Sequence, residues 1–188
     1  MYPPSAAQGL VELHRVGLVH GNIKPSNVHL NHHSKPLARL SDYGFSQLRA
    51  NLWSMACASD DRAQRLTYSQ VVTQLESMES GKIFSLPVHS APELLSNPRQ
   101  INDTGEYLPP YPQYPHMGSD IYALGILMWT VLADRRAFVH INTEYDFCDQ
   151  VHSGSRPSLD DLPLDLPVFF RDVLKACWSE GLATLSLH

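Results

Sequence analysis

The chain has 188 residues, 43% of them hydrophobic, which suits one domain able to bury a core. Its formal charge of −5 argues against a nucleic-acid partner, which would need clustered Lys and Arg. No apolar run reaches the roughly eighteen residues of a membrane span, and Cys57, Cys148 and Cys177 are odd in number and far apart, as reduced cytoplasmic thiols would be.

In chain order, Met1-Tyr2-Pro3-Pro4 has neither a basic region nor an apolar core, so it does not read as a secretory signal. Ser5 is placed to cap a helix whose apolar residues Leu10 and Leu13 recur at helical spacing and which ends near Gly17. Leu18-Val19 and Val28-His29-Leu30 read as short buried strands flanking a polar loop, and Leu37 to Leu40 as a further strand. Val71, Val72, Leu75 and Met78 predict an amphipathic helical insert over 68–78. The proline-rich stretch from Leu108 to Pro115 is irregular, because proline removes a donor and locks φ. Ser119 is read as the cap of a strongly apolar helix from Asp120 to Leu132, and a last helix runs from Pro167 to Trp178 with Pro167 in its first turn.

The polar loop is the most informative stretch. His20-Gly21-Asn22-Ile23-Lys24-Pro25-Ser26-Asn27 resembles the catalytic loop of protein kinases, His-Arg-Asp-Leu-Lys-x-x-Asn. Asp42-Tyr43-Gly44 resembles Asp-Phe-Gly, Ala91-Pro92-Glu93 matches Ala-Pro-Glu, and Ser119 to Trp129 resembles the buried central helix of the larger lobe. Arg156-Pro157 and Ala176-Cys177-Trp178 resemble the later helical region of tyrosine-kinase-like and receptor-interacting members. Receptor guanylate cyclases carry a kinase-homology domain with a similar loop and an Asp-Tyr-Gly. These markers stand in the family's order over residues 5–180.

The resemblance implies a mainly α fold with small β elements, that of the kinase C-lobe, as a partial domain over 5–180 followed by a divergent tail over 181–188. A glycine-rich loop, a strand lysine and its helix glutamate do not occur, so the N-lobe is absent from these residues. By resemblance, Lys24 would contact the transferred phosphate, and Asn27 and Asp42 would hold Mg²⁺. Asn22 stands where the family has its catalytic Asp, and a carboxamide cannot serve as a general base. Gly21 replaces an Arg that anchors phosphorylated activation segments in many kinases. His20, Tyr43, Glu93 and Asp120 are read as structural: the first two in the spine between lobes, Asp120 as acceptor of loop N–H groups. Glu93 is expected to lack the buried Arg that pairs with it in the family.

The expectation is therefore a pseudokinase fragment working in cytoplasmic signalling through protein partners. By itself it would take no cofactor; ATP and Mg²⁺ belong to a longer form. The alternatives are an incomplete chain of an active ATP-dependent Ser/Thr or Tyr kinase, and a truncated product with no independent function. His29, His32 and His33 beside His20 read as a solvated loop rather than a metal site, since no Cys or carboxylate stands at zinc-site spacing. Tyr107, Tyr111 and Tyr114 read as part of a loop insert, with a docking surface as the alternative.

Overall fold

A computed structural model describes residues 6–31, 37–42, 86–95 and 115–179. Ser5, His32, His33, Tyr43, Gly44, Cys57, the insert over 68–78, the three tyrosines and the tail over 181–188 lie outside the described residues. Helix α1 is Ala6–Arg15, strands β1 and β2 are Val28–Leu30 and Ala38–Leu40, and helices α2, α3 and α4 are Met117–Ala133, Glu144–His152 and Val168–Cys177. Single 3₁₀ turns at Pro25–Asn27, Pro92–Leu94 and Leu159–Asp161 join them. The described architecture is mostly helical with one small antiparallel sheet, compatible with a kinase-like fragment.

Helix α1 ends where the sequence predicts. Leu18 N–H donates to the Leu13 carbonyl and Gly17 N–H to that of His14, with Gly17 at φ 77°. This closing motif needs a left-handed residue, which glycine supplies without a Cβ penalty. Among the described residues no strand forms at Leu18 and Val19, where one was expected, and Leu18 is exposed. The strand over 28–30 does form, with Val28 opposite Leu40 and Leu30 opposite Ala38. It is not buried: His29 and Leu30 face outward at the sheet surface.

Helix α2 organises the rest, because it is apolar on nearly all sides and such a helix must be covered all round. Tyr122, Ile126 and Trp129 recur one helical face apart and pack with Phe147 and Val151 of α3, Leu174 and Cys177 of α4, and Trp178. Ala123 and Leu127 turn the other way and pack with Leu10 of α1 and Ile23 of the polar loop. One helix thus ties two apolar clusters together. It starts earlier than predicted, at Met117. Its cap is His116, whose side chain accepts from Ser119 N–H while Ser119 Oγ accepts from His116 N–H. Ser119 is the third residue of this reciprocal capping box, not the cap.

Two further points correct the sequence reading. Pro167 precedes α4 as its cap residue instead of lying in the first turn. Helix α3 was not anticipated, although Thr143 caps it by accepting from Asp146 N–H and its buried Phe147 and Val151 are spaced for one face. Nine residues with only Phe147, Cys148 and Val151 buried leave a weak periodic signal.

At the crossing of α2 and α4 the backbones approach closely. A Cβ on Gly125 would lie 2.6 Å from Cys177 Cβ and 2.8 Å from Trp178 Nε1. Gly125→Ala is therefore expected to lower stability by about 1–3 kcal/mol through overpacking, against the roughly 1 kcal/mol that alanine gains in a helix interior. Urea unfolding checks this; a midpoint equal to or above the parent's would show that the crossing has room.

Candidate functional site

The loop from His20 to Asn27 is held from below by a carboxylate. Asp120, in the first turn of α2 and 1% exposed, accepts from His20 N–H at 2.7 Å and from Gly21 N–H at 2.8 Å. His14 of α1 reaches the same carboxylate, with Nε2 2.9 Å from Oδ2. A buried carboxylate is tolerated when its lone pairs are filled this way, and hydrogen bonds to a charged acceptor are the stronger kind. Gly21 adopts φ 71°. A left-handed residue here turns two successive N–H groups toward Asp120, and glycine adopts it freely.

His20, fully buried, carries the tether across to the sheet. Its Nε2 lies 2.8 Å from the Ser41 carbonyl oxygen, and its Nδ1 lies 3.3 Å from Asn22 N–H. A carbonyl only accepts and a backbone N–H only donates, so the ring is the neutral Nε2–H tautomer. Ser41 N–H also donates to the Asn27 carbonyl at 2.9 Å. These bonds fix the residue that follows. Asp42 sits just past β2 with φ 73°, a left-handed backbone that Asp adopts more readily than most residues.

The Asp42 carboxylate meets two carboxamides. Asn22 Nδ2 donates to Oδ2 at 3.0 Å, and Asn27 Nδ2 donates to the same oxygen at 3.2 Å. Asn27 Nδ2 also donates to the Asn22 carbonyl at 2.8 Å. Of the residues singled out in the sequence, His20, Asn22, Asn27, Asp42 and Asp120 thus form one connected network. Lys24 is half-buried at the start of the 3₁₀ turn, and Asn27 N–H donates to its carbonyl. Its charge reaches His89, whose Nε2 is buried without a hydrogen-bond partner. Burial first, and the Lys24 charge second, hold the His89 imidazole down to about 4.

Glu93 lies apart from this network and is not left unpaired. His116 Nε2 stands 3.0 Å from Glu93 Oε1. With Nδ1 accepting from Ser119 and Nε2–H donating to Glu93, one imidazole caps α2 and holds the Ala-Pro-Glu turn. The expectation of an orphaned Glu93 is corrected: a histidine from the helix cap supplies the donor. His14, Ser41, His89 and His116 were all missed. His14 alone left a signal, sitting four residues after buried Leu10 on the inward face.

A divalent cation is implied for Asn27 and Asp42 by the motif, and the residues present do not fit one as arranged. Such a cation wants oxygen lone pairs. Here two N–H₂ groups point at Asp42 Oδ2, and the Asn27 face turned toward it is the amino side. Among the described residues no group of three His, Cys, Asp or Glu is placed to hold a metal.

No family model matches the chain. Curated relatives do. The "Dual serine/threonine and tyrosine protein kinase" of Homo sapiens is 28% identical over 178 residues, covering 91% of this chain and 14% of that protein. The protein of the same name in Gallus gallus is 29% identical with the same coverage. The "Receptor-interacting serine/threonine-protein kinase 3" of Rattus norvegicus is 29% identical over 178 residues, again 91% of this chain and 30% of that protein. The chain is related to the protein kinase superfamily. It spans less than a third of the length of these relatives.

Proposed function

We propose that residues 5–180 form a kinase C-lobe, that 181–188 is a divergent tail, and that the chain is a pseudokinase acting through protein contacts in cytoplasmic signalling. The observation that carries this reading is Asn22. Its carboxamide stands in the loop position where a kinase needs a carboxylate, and it is engaged as a donor to Asp42. General-base help is worth roughly 10²–10⁴-fold, and an amide that donates has no lone pair to offer a substrate hydroxyl at that nitrogen. The rest of the loop is tied down by Asp120, His20 and Ser41, so it supplies a rigid surface. Among the described residues no helix is long and apolar enough to cross a membrane.

The relatives' names favour a second reading, an incomplete chain of an active ATP-dependent protein kinase in which Lys24, Asn27 and Asp42 keep their family roles. Phosphotransfer decides between them. The chain, and any longer product that carries an N-lobe, is incubated with ATP, Mg²⁺ and a general protein substrate. Transfer no greater than that of an Asp42→Ala control is expected. Clear transfer that Asp42→Ala abolishes would establish the second reading instead.

A further inference from the structure

We propose that Asn22 and Asn27 act together as an amide clasp that takes the place of a divalent cation on Asp42, so that this loop is closed without metal. The inference deepens the pseudokinase reading and rests on it for the identity of the loop. Three observations carry it. First, Asn27 Nδ2 lies between two acceptors, the Asn22 carbonyl at 2.8 Å and Asp42 Oδ2 at 3.2 Å. Only the amino side of the carboxamide satisfies both.

Second, Asn22 brings a further N–H donor to the same carboxylate oxygen at 3.0 Å. Positive hydrogens therefore converge on Oδ2 where a bridging ion would need lone pairs. Third, the carboxylate is presented by a backbone already committed to the left-handed region and braced by the bonds of the preceding Ser41 to His20 and Asn27. The geometry that would otherwise depend on a bound ion is built from protein donors.

The clasp also explains the residue chosen at position 22. A carboxylate there would face Asp42 at about the same separation, and two such groups cannot both stay ionised without a proton or a cation between them. The amide is isosteric, neutral and a donor, so it turns a repulsive pair into an attractive one.

The test uses the intact chain in thermal unfolding with and without Mg²⁺, and Mn²⁺ titration followed by electron paramagnetic resonance. The wild type is expected to show no Mg²⁺-dependent rise in melting temperature and no stoichiometric Mn²⁺ site. Asn22→Asp is expected to melt lower in metal-free buffer at neutral pH, to recover when Mg²⁺ is added, and to bind Mn²⁺ about tenfold or more tighter than the parent, since ligand charge count sets such affinities. Asn22→Leu, which removes the donor without adding charge, is expected to melt lower with no response to Mg²⁺. A wild-type Mn²⁺ site that Asp42→Asn removes would overturn the clasp, as would an Asn22→Asp variant no more responsive to metal than the parent. Should Asn22→Asp not fold, the wild-type titration alone decides. Metal binding without phosphotransfer would sink the clasp and leave the pseudokinase reading; phosphotransfer would sink that reading.

Discussion

Asp120→Asn is expected to lower the melting temperature by roughly 10 °C, the equivalent of about 3–5 kcal/mol for a chain of this size. The substitution keeps the shape of the side chain and removes its charge and half of its acceptor capacity. In the parent, Oδ1 accepts from Gly21 N–H while Oδ2 accepts from His20 N–H and lies beside His14 Nε2. An amide must turn its N–H₂ group toward one of these sets. A donor then meets a donor in a place sealed from water, and each unsatisfied buried group costs about 1–3 kcal/mol. The effect is not local, because the loop from His20 carries the tether to Ser41 and hence Asp42. Amide hydrogen exchange of Gly21 and Asn22 is expected to accelerate with the loss of stability. A variant melting within about 2 °C of the parent would show that the carboxylate is not what holds the loop.

The second large effect is a dependence on pH traceable to one histidine. In the folded chain His89 is held down to about 4, while an unperturbed imidazole titrates near 6.5. Below about 6.5 the unfolded chain therefore takes up a proton that the folded chain refuses. The stability contributed by the neutral, buried ring is fully present above that pH and is lost as pH falls toward about 4. Each pH unit in this window is worth about 1.4 kcal/mol, so the complete loss is roughly 3 kcal/mol and the loss by pH 5 about 2 kcal/mol. His89→Phe removes the titration and also an unpartnered buried nitrogen. It is expected to equal or exceed the parent's stability at pH 7 and to exceed it by a further ~2 kcal/mol at pH 5. Denaturant unfolding of both proteins across this range is the measurement. Parallel lines from pH 7 to pH 5 would place the acid sensitivity elsewhere.

Much of the fold was legible because its signals are local. The closing glycine of α1 and the apolar run of α2 each depend on a few neighbouring residues. Where local signals were thin, the reading failed in identifiable ways. Leu18 and Val19 have the composition of a strand but find no partner, and a strand exists only in pairing. Ser119 is a good capping residue by type, yet the reciprocal bonds with His116 move the helix start three residues earlier. Helix α3 was overlooked because it presents only Phe147, Cys148 and Val151 to the core.

The site divides in the same manner. The sequence by itself determined the lineage, through the order of the motifs, and the chemical character of position 22, an amide where the family has a carboxylate. Apart from Asp120, which the resemblance makes an acceptor of loop N–H groups, it did not determine which groups those residues meet. His14 and Asp120 are separated by 106 positions, and Asn22 and Asp42 by 20. Glu93 and His116 meet across a stretch with no periodic pattern. Only the tertiary structure decided that Glu93 has a partner, that His14 joins the loop N–H groups on Asp120, and that two amides face Asp42. Propensity and periodicity act over a turn or two of chain, whereas a hydrogen bond between distant residues exists only after packing has brought their elements together.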